Sequence, residues 1–279
     1  MPPSTPDMLT ARDGLEIAFA EWGAKTDHPT VVLVHATGFC KEVCEPVVDD
    51  LYALRSGFCA LALDQRAHGD SGIPTIPFDW WDVAGDIVEL VGTRAPVVGV
   101  GHSAGAAALL MAEMLQPGLF SGQVLVEPIV FPPPYGRYPD NPMSAAALRR
   151  RDRFESRQAA FDNWRTKPAF AGWEERALWA YVDGGLRSDG DSFVLKCSRE
   201  SEAETFLAAT EHRAWDRLDE VKARALLIAG EHSTTHQRHF LEQLVQRLPN
   251  AGFEIVPDTT HMVWMERPGV IANHVSSFL

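Results

Sequence analysis

Cysteine is scarce in this 279-residue chain: Cys40, Cys44, Cys59 and Cys197 are all it has. Cys59 lies in an apolar run. Cys40 and Cys44 have no second Cys or His pair at ligand spacing. Free thiols in a reducing compartment are therefore expected, rather than a disulfide framework or a metal site. Positive charge is also in short supply, with 25 Lys and Arg against 38 Asp and Glu, a formal charge of −13. So acidic a body repels phosphate backbones and anionic surfaces, which excludes nucleic acid as an expected partner. No apolar stretch reaches the ~18–20 residues that span a bilayer. The opening Met1-Pro-Pro-Ser-Thr-Pro6 lacks the basic start and apolar core of a secretory signal. A cytoplasmic protein without membrane contact is expected.

Hydrophobic residues make up 46% and charged residues 23%, enough apolar material for one large domain or a core with an inserted subdomain. After a Pro-rich tail over residues 1–7, Leu15 to Trp22 alternates apolar and polar residues, as an antiparallel strand does, and Asp13-Gly14 before it is a turn signal. Val31 to Val34 is a continuous β-branched run, the pattern of a strand buried on both faces of a parallel sheet. Similar runs recur at 58–63, 97–100, 124–126, 225–229 and 253–256. Helical segments near 80–91, 104–115 and 236–248 separate most of them, and this alternation defines an α/β fold. The rhythm breaks once. About a hundred residues between Val126 and Ala225 hold no clear buried strand, too many for an unstructured loop in a compact domain. They read as a helical subdomain containing Trp164, Trp173, Trp179 and Trp215, with a basic helical run at 148–154 expected to present a solvated face.

Gly101-His-Ser-Ala-Gly105 matches G-x-S-x-G. A serine at a sharp strand-to-helix turn needs such glycines, because side chains there would strike neighbouring backbone. The apolar run 97–100 precedes it and the Ala-rich stretch 106–112 follows, which is the strand–turn–helix context the motif requires. A serine hydroxyl needs a general base near neutral pH. Of ten histidines, His261 lies in a loop after the last expected strand and before a C-terminal helix.

These features together resemble the α/β-hydrolase family over nearly the whole chain. His35-Ala-Thr-Gly-Phe39 resembles its oxyanion loop, Asp64-Gln-Arg-Ala-His-Gly-Asp-Ser71 its D-x-R-G-H-G-x-S turn, 101–105 its nucleophile elbow, and His261 with Glu266 and Pro268 its H-x-x-x-x-E-x-P ending. The resemblance implies a mostly parallel, roughly eight-stranded sheet flanked by helices. It also implies a helical cap over residues 130–215, inserted after the strand ending at Val126, with residues 1–129 and 216–279 as the core domain.

The acid departs from the usual pattern. Gly230-Glu-His-Ser233 puts a serine where the family's Asp commonly stands. Some branches, certain haloalkane dehalogenases and lactone hydrolases among them, carry the acid after the preceding core strand, and Glu127 in Val126-Glu-Pro128 sits there. Glu231 and Asp258 are the alternatives. The resemblance further implies backbone N–H groups of Ala104 and Thr37 as an oxyanion hole, with Ala36 replacing the usual Gly. His102 is expected to pack or line the pocket, Met262 and Trp264 to wall it or sit in the core, and Phe39 to border the substrate. His35, Arg66 and His68 are expected to order their loops. His232, His236 and His239 are read as a solvated helix start rather than metal ligands.

The activity so implied is hydrolysis of a small to medium, mostly apolar ester or lactone through an acyl-enzyme, with Ser103 as nucleophile, His261 as base and Glu127 as acid, and no cofactor or metal. C–C bond hydrolysis, acyl transfer or perhydrolysis would use the same residues, and a non-catalytic ligand-binding protein or a homodimer remains open. Epoxide hydrolase and dehalogenase chemistry is disfavoured, since both need an Asp where Ser103 stands.

Overall fold

The β-branched runs become strands in the computed structural model, which describes residues 7–23 and 29–279. The first half of the chain forms β1 (Asp7–Thr10), β2 (Glu16–Trp22), β3 (Thr30–Val34), α1 (Glu45–Leu54), β4 (Cys59–Leu63), α2 (Trp80–Val91), β5 (Val97–His102), α3 (Ala104–Leu115) and β6 (Phe120–Val126). The insertion forms α4 (Pro142–Arg149), β7 (Arg153–Phe154), α5 (Arg157–Arg165), α6 (Glu175–Gly185), β8 (Leu186–Asp189), β9 (Ser192–Leu195) and α7 (Arg199–Ala208). The chain then returns through β10 (Arg224–Gly230), α8 (Arg238–Arg247), β11 (Ala251–Val256), α9 (Val263–Glu266) and α10 (Pro268–Ser276).

Eight strands form one sheet in the order β1-β2-β4-β3-β5-β6-β10-β11. β1 and β2 are antiparallel additions at one edge, and from β4 onward every pairing is parallel. Because side chains alternate across a strand, β3 sends Val32 and Val34 to a core under α2, α3 and α8, and Val31 and Leu33 to a core under α1 and α10. Both cores exclude water, which is why these strands read as unbroken apolar runs. No helix among the described residues is long and apolar enough to cross a membrane. All four cysteines are buried free thiols.

Three expectations need correction. Asp7 opens β1 rather than ending a loose tail, while residues 1–6 lie outside the described residues. The insertion is not purely helical, since β7, β9 and β8 form a small antiparallel sheet. The arginine run is not one helix: α4 stops at Arg149, residues 150–152 are irregular and Arg153 begins β7. Nor is the run wholly a solvated face, because the Arg150 guanidinium turns inward to Glu202 at 2.5 Å and to the Tyr181 hydroxyl at 2.6 Å. The insertion packs into the second core through Phe154, Trp164, Trp173 and Tyr181, of which Trp173 and Tyr181 meet Phe39 of the core loop.

Candidate active site

β5 delivers Ser103 at a turn with φ of +55°, and α3 starts at the next residue. Two glycines allow that turn. A Cβ on Gly101 would lie 2.7 Å from Ala106 backbone, and one on Gly105 would lie 2.3 Å from the Val34 carbonyl oxygen. The left-handed conformation is unfavourable for serine. It is held by the Ser103 N–H donating to Val126 O (2.7 Å), and by the Ala107 and Ile129 N–H groups donating to Ser103 O. Ala104, as the first residue of α3, carries one of the N–H groups that a helix leaves free. Thr37 lines the same cavity, and its N–H makes no hydrogen bond among the described residues.

Glu127 follows β6 directly, also in the left-handed region with φ of +46°, and is completely buried. An unpaired carboxylate there would be costly, and this one is surrounded by donors. Its Oε1 accepts the Gly230 N–H (3.0 Å). Its Oε2 accepts the Ser233 hydroxyl (2.8 Å), the Thr235 hydroxyl (3.2 Å) and Nδ1 of His261 (2.5 Å). Burial alone would raise its pKa. Hydrogen bonds and positive charge from His236 and His261 outweigh that and hold the carboxyl well below the usual range. Ser233, which stands where an acid was missing in the sequence, thus supplies a hydroxyl to the carboxylate at the end of β6.

His261 is carried by the loop between β11 and α9. Glu266 pins that loop by accepting the Thr260 N–H and hydroxyl, each at 2.7 Å. Gly230 allows β10 to reach it, since a Cβ there would lie 2.2 Å from the Thr260 carbonyl. With Nδ1 turned to Glu127, Nε2 is the nitrogen left for a substrate or for Ser103. Ser103 and His261 border one cavity of about 650 Å³ without a hydrogen bond between them; such pairs tighten when substrate is bound.

Phe39 and Met262 border the cavity. His102 and Trp264 do not. His102 is buried, with Nε2 hydrogen-bonded to the His261 carbonyl oxygen at 2.9 Å, and burial followed by the nearby His261 charge pushes its pKa down to about 3. Trp264 is a core residue whose Nε1 donates to Val43 O. Adjacency in sequence to Ser103 and His261 could not show which way either ring points.

Glu231 and Asp258, the alternative acids, are exposed. The Glu231 carboxylate accepts the Asp258 N–H, and neither hydrogen-bonds to His261. The solvated-helix reading fails for His236, which is buried, donates from Nε2 to Pro128 O (3.0 Å) and lies 3.3 Å from the Glu127 carboxylate. Nothing in the sequence distinguished it from His232 and His239, which are exposed. Glu127, His236 and His261 are close enough to share a metal ion. Their facing atoms are already engaged with one another and with Ser233, Thr235 and Pro128, so the set reads as a hydrogen-bonded cluster.

The loop preceding Phe39 is ordered from beneath. His68 Nε2 accepts the Gly38 N–H (2.9 Å), His35 Nε2 accepts the Gln65 N–H (3.1 Å), and Lys41 bridges Asp64 and Asp70 at 2.8 Å each. Arg66 anchors its own turn on Asp86 and Asp13. From above, Tyr181 of α6 donates to the Gly38 carbonyl (3.1 Å) and itself accepts from Arg150.

The Alpha/beta hydrolase family model matches residues 31–274, and the chain belongs to that family. It is 24% identical over 317 residues to the peroxisomal membrane protein LPX1 of Saccharomyces cerevisiae, covering 96% of this chain and 81% of the yeast protein. It is 28% identical over 193 residues to the type I acyl-CoA thioesterase mpaH of Penicillium roqueforti, covering 61% of this chain but 44% of that one. Among solved structures, E-2-(acetamidomethylene)succinate hydrolase superposes with a TM-score of 0.80 at 21% identity, covering 98% of both chains. That likeness is one of fold.

Proposed function

We propose that this hydrolase cleaves a carboxylic ester or lactone through an acyl-enzyme. The observation that carries the reading is the 2.5 Å hydrogen bond from His261 Nδ1 to the buried Glu127, on the wall of a cavity that Ser103 also borders. Ser103 Oγ attacks the substrate carbonyl carbon and His261 Nε2 takes its proton. The imidazolium is stabilised by Glu127, and the oxyanion is met by the N–H groups of Ala104 and Thr37. Collapse expels the alkoxide, which takes the proton from Nε2. Water then enters with the same imidazole as base and releases the acid. Residues 130–215 act as a cap over Ser103, and the lining by Phe39, Trp164, Phe170 and Met262 suits an apolar acyl body.

A thioester is the second reading, favoured by the similarity to a protein named as an acyl-CoA thioesterase; the steps are the same with thiolate as leaving group. For location, the composition favours the cytoplasm, and the similarity to a peroxisomal protein offers the peroxisome as the alternative.

The test is labelling with a fluorophosphonate, which needs an activated serine and knowledge of no substrate. A single adduct on Ser103, absent from Ser103→Ala and strongly slowed in Glu127→Gln, is expected. Labelling at another serine, or none at any, would overturn the reading.

A further inference from the structure

The rim of the cavity contradicts the charge of the rest of the chain. In a protein of net charge −13, the cavity is bordered by Arg149, Arg150, Arg151 and Lys167 against a single acidic side chain, Glu202. That one carboxylate is bonded to Arg150 at 2.5 Å, so the two neutralise each other. Arg151 is partly compensated by the exposed Glu155 at 3.7 Å. Arg149 and Lys167 are exposed and make no ion pair or hydrogen bond with any described side chain. They lie on different elements: Arg149 ends α4, and Lys167 follows the end of α5.

A cation at a helix C-terminus commonly answers the helix dipole. That alone does not explain the pattern, because α1, α2, α3, α6 and α7 all end without a basic residue in the last turn. α5 already carries Arg165 in its last turn. Both uncompensated cations, from two separate insertion segments, border the cavity that Ser103 also borders. An opening lined by one sign of charge concentrates ligands of the other.

We propose that Arg149 and Lys167 form an anion-recognition rim, which selects substrates carrying a negatively charged group, carboxylate or phosphate, away from the bond held at Ser103. The apolar floor takes the body of the substrate and the rim takes its charged end. This rests on the reading of the cavity as an ester site, and names the class of ester it takes.

The test is calorimetric binding to the Ser103→Ala protein, which requires no chemistry. Monomethyl glutarate is compared with dimethyl glutarate, its neutral counterpart, and 4′-phosphopantetheine with pantetheine, which differs from it in lacking the phosphate. At least one charged ligand is expected to bind roughly tenfold more tightly than its neutral partner, with the ratio falling as salt rises. Whichever pair shows the preference identifies carboxylate or phosphate as the source of the charge. The Arg149→Gln/Lys167→Gln double variant is expected to bring the ratio to about one, while Arg149→Lys retains it. Equal affinities within both pairs, no saturable binding of either anion at millimolar concentration, or a ratio that survives in the double variant would overturn the proposal. A protein that shows the preference yet takes no fluorophosphonate would instead refute the hydrolytic reading and leave the rim standing.

Discussion

At the floor of the cavity Ser103 and Thr37, and Glu127 behind His261, follow strand ends and are at least nine-tenths buried, whereas on its roof Met143, Arg149, Arg151 and Lys167 stand exposed on the insertion. The floor is over-determined. Two of its residues hold left-handed backbone, glycines clear the space around them, and both carboxylate oxygens of Glu127 are hydrogen-bonded, Oε2 to three groups. The roof is specified far more loosely. A substitution on the floor should therefore act on the chemistry, and one on the roof on what is admitted.

The largest effect should come from Ser103→Ala, with kcat for an activated ester falling by about 10⁴-fold or more, as expected when a nucleophile is removed. Glu127→Gln should lower kcat by roughly 10³–10⁴-fold with the fold intact by circular dichroism, because the amide leaves the imidazolium unsupported. Glu231→Gln should stay within about twofold, since its carboxylate is exposed and turned to Asp258. A large loss in Glu231→Gln beside a small one in Glu127→Gln would move the acid to the turn after β10. Ser233→Ala removes one donor from Glu127. It should destabilise the protein by about 1 kcal/mol in urea unfolding, with a loss in kcat smaller than that of Glu127→Gln.

The floor also sets a pH response. His35, His68 and His102 are buried and held neutral, with pKa values pushed below the ordinary imidazole range by burial, His102 to about 3. Below the unfolded value of ~6.5 the unfolded chain takes up protons that the folded one refuses, so stability falls as pH falls. Each such histidine contributes at most about 1.4 kcal/mol per pH unit to this slope. Urea midpoints should be flat above neutrality and decline from about pH 6.5 downward. His102→Gln should flatten the decline, and an unchanged slope in that variant would mean that His102 is protonated in the folded protein. A small effect is also expected where the insertion meets the loop: Tyr181→Phe should change kcat/KM by no more than a fewfold, by freeing the Gly38 carbonyl.

The same contrast governs what the sequence made legible. β3, β4, β5 and β6 of the main sheet were readable because burial on both faces demands unbroken apolar runs, and Gly101 to Gly105 because only glycine fits where Cβ atoms would meet backbone. The insertion was less readable. Short exposed strands such as Leu186–Asp189 carry no burial pattern, and adjacent arginines give no sign that Arg150 turns inward while Arg149 stays out. β1 was hidden by the prolines before it and by its exposed, four-residue length, although it pairs with β2 across the nearby Asp13-Gly14 turn. His236 was missed because its role comes from Glu127, more than a hundred residues earlier in the chain.

The hydrogen-bonded line from Glu202 through Arg150 and Tyr181 to the Gly38 carbonyl has a mechanical consequence. Gly38 neighbours Thr37, and its N–H is held from below by His68. The peptide groups on either side of Gly38 are thus held between the sheet and the insertion. The position of this loop is therefore set jointly by the sheet and by the insertion, and losing either support leaves the other in place.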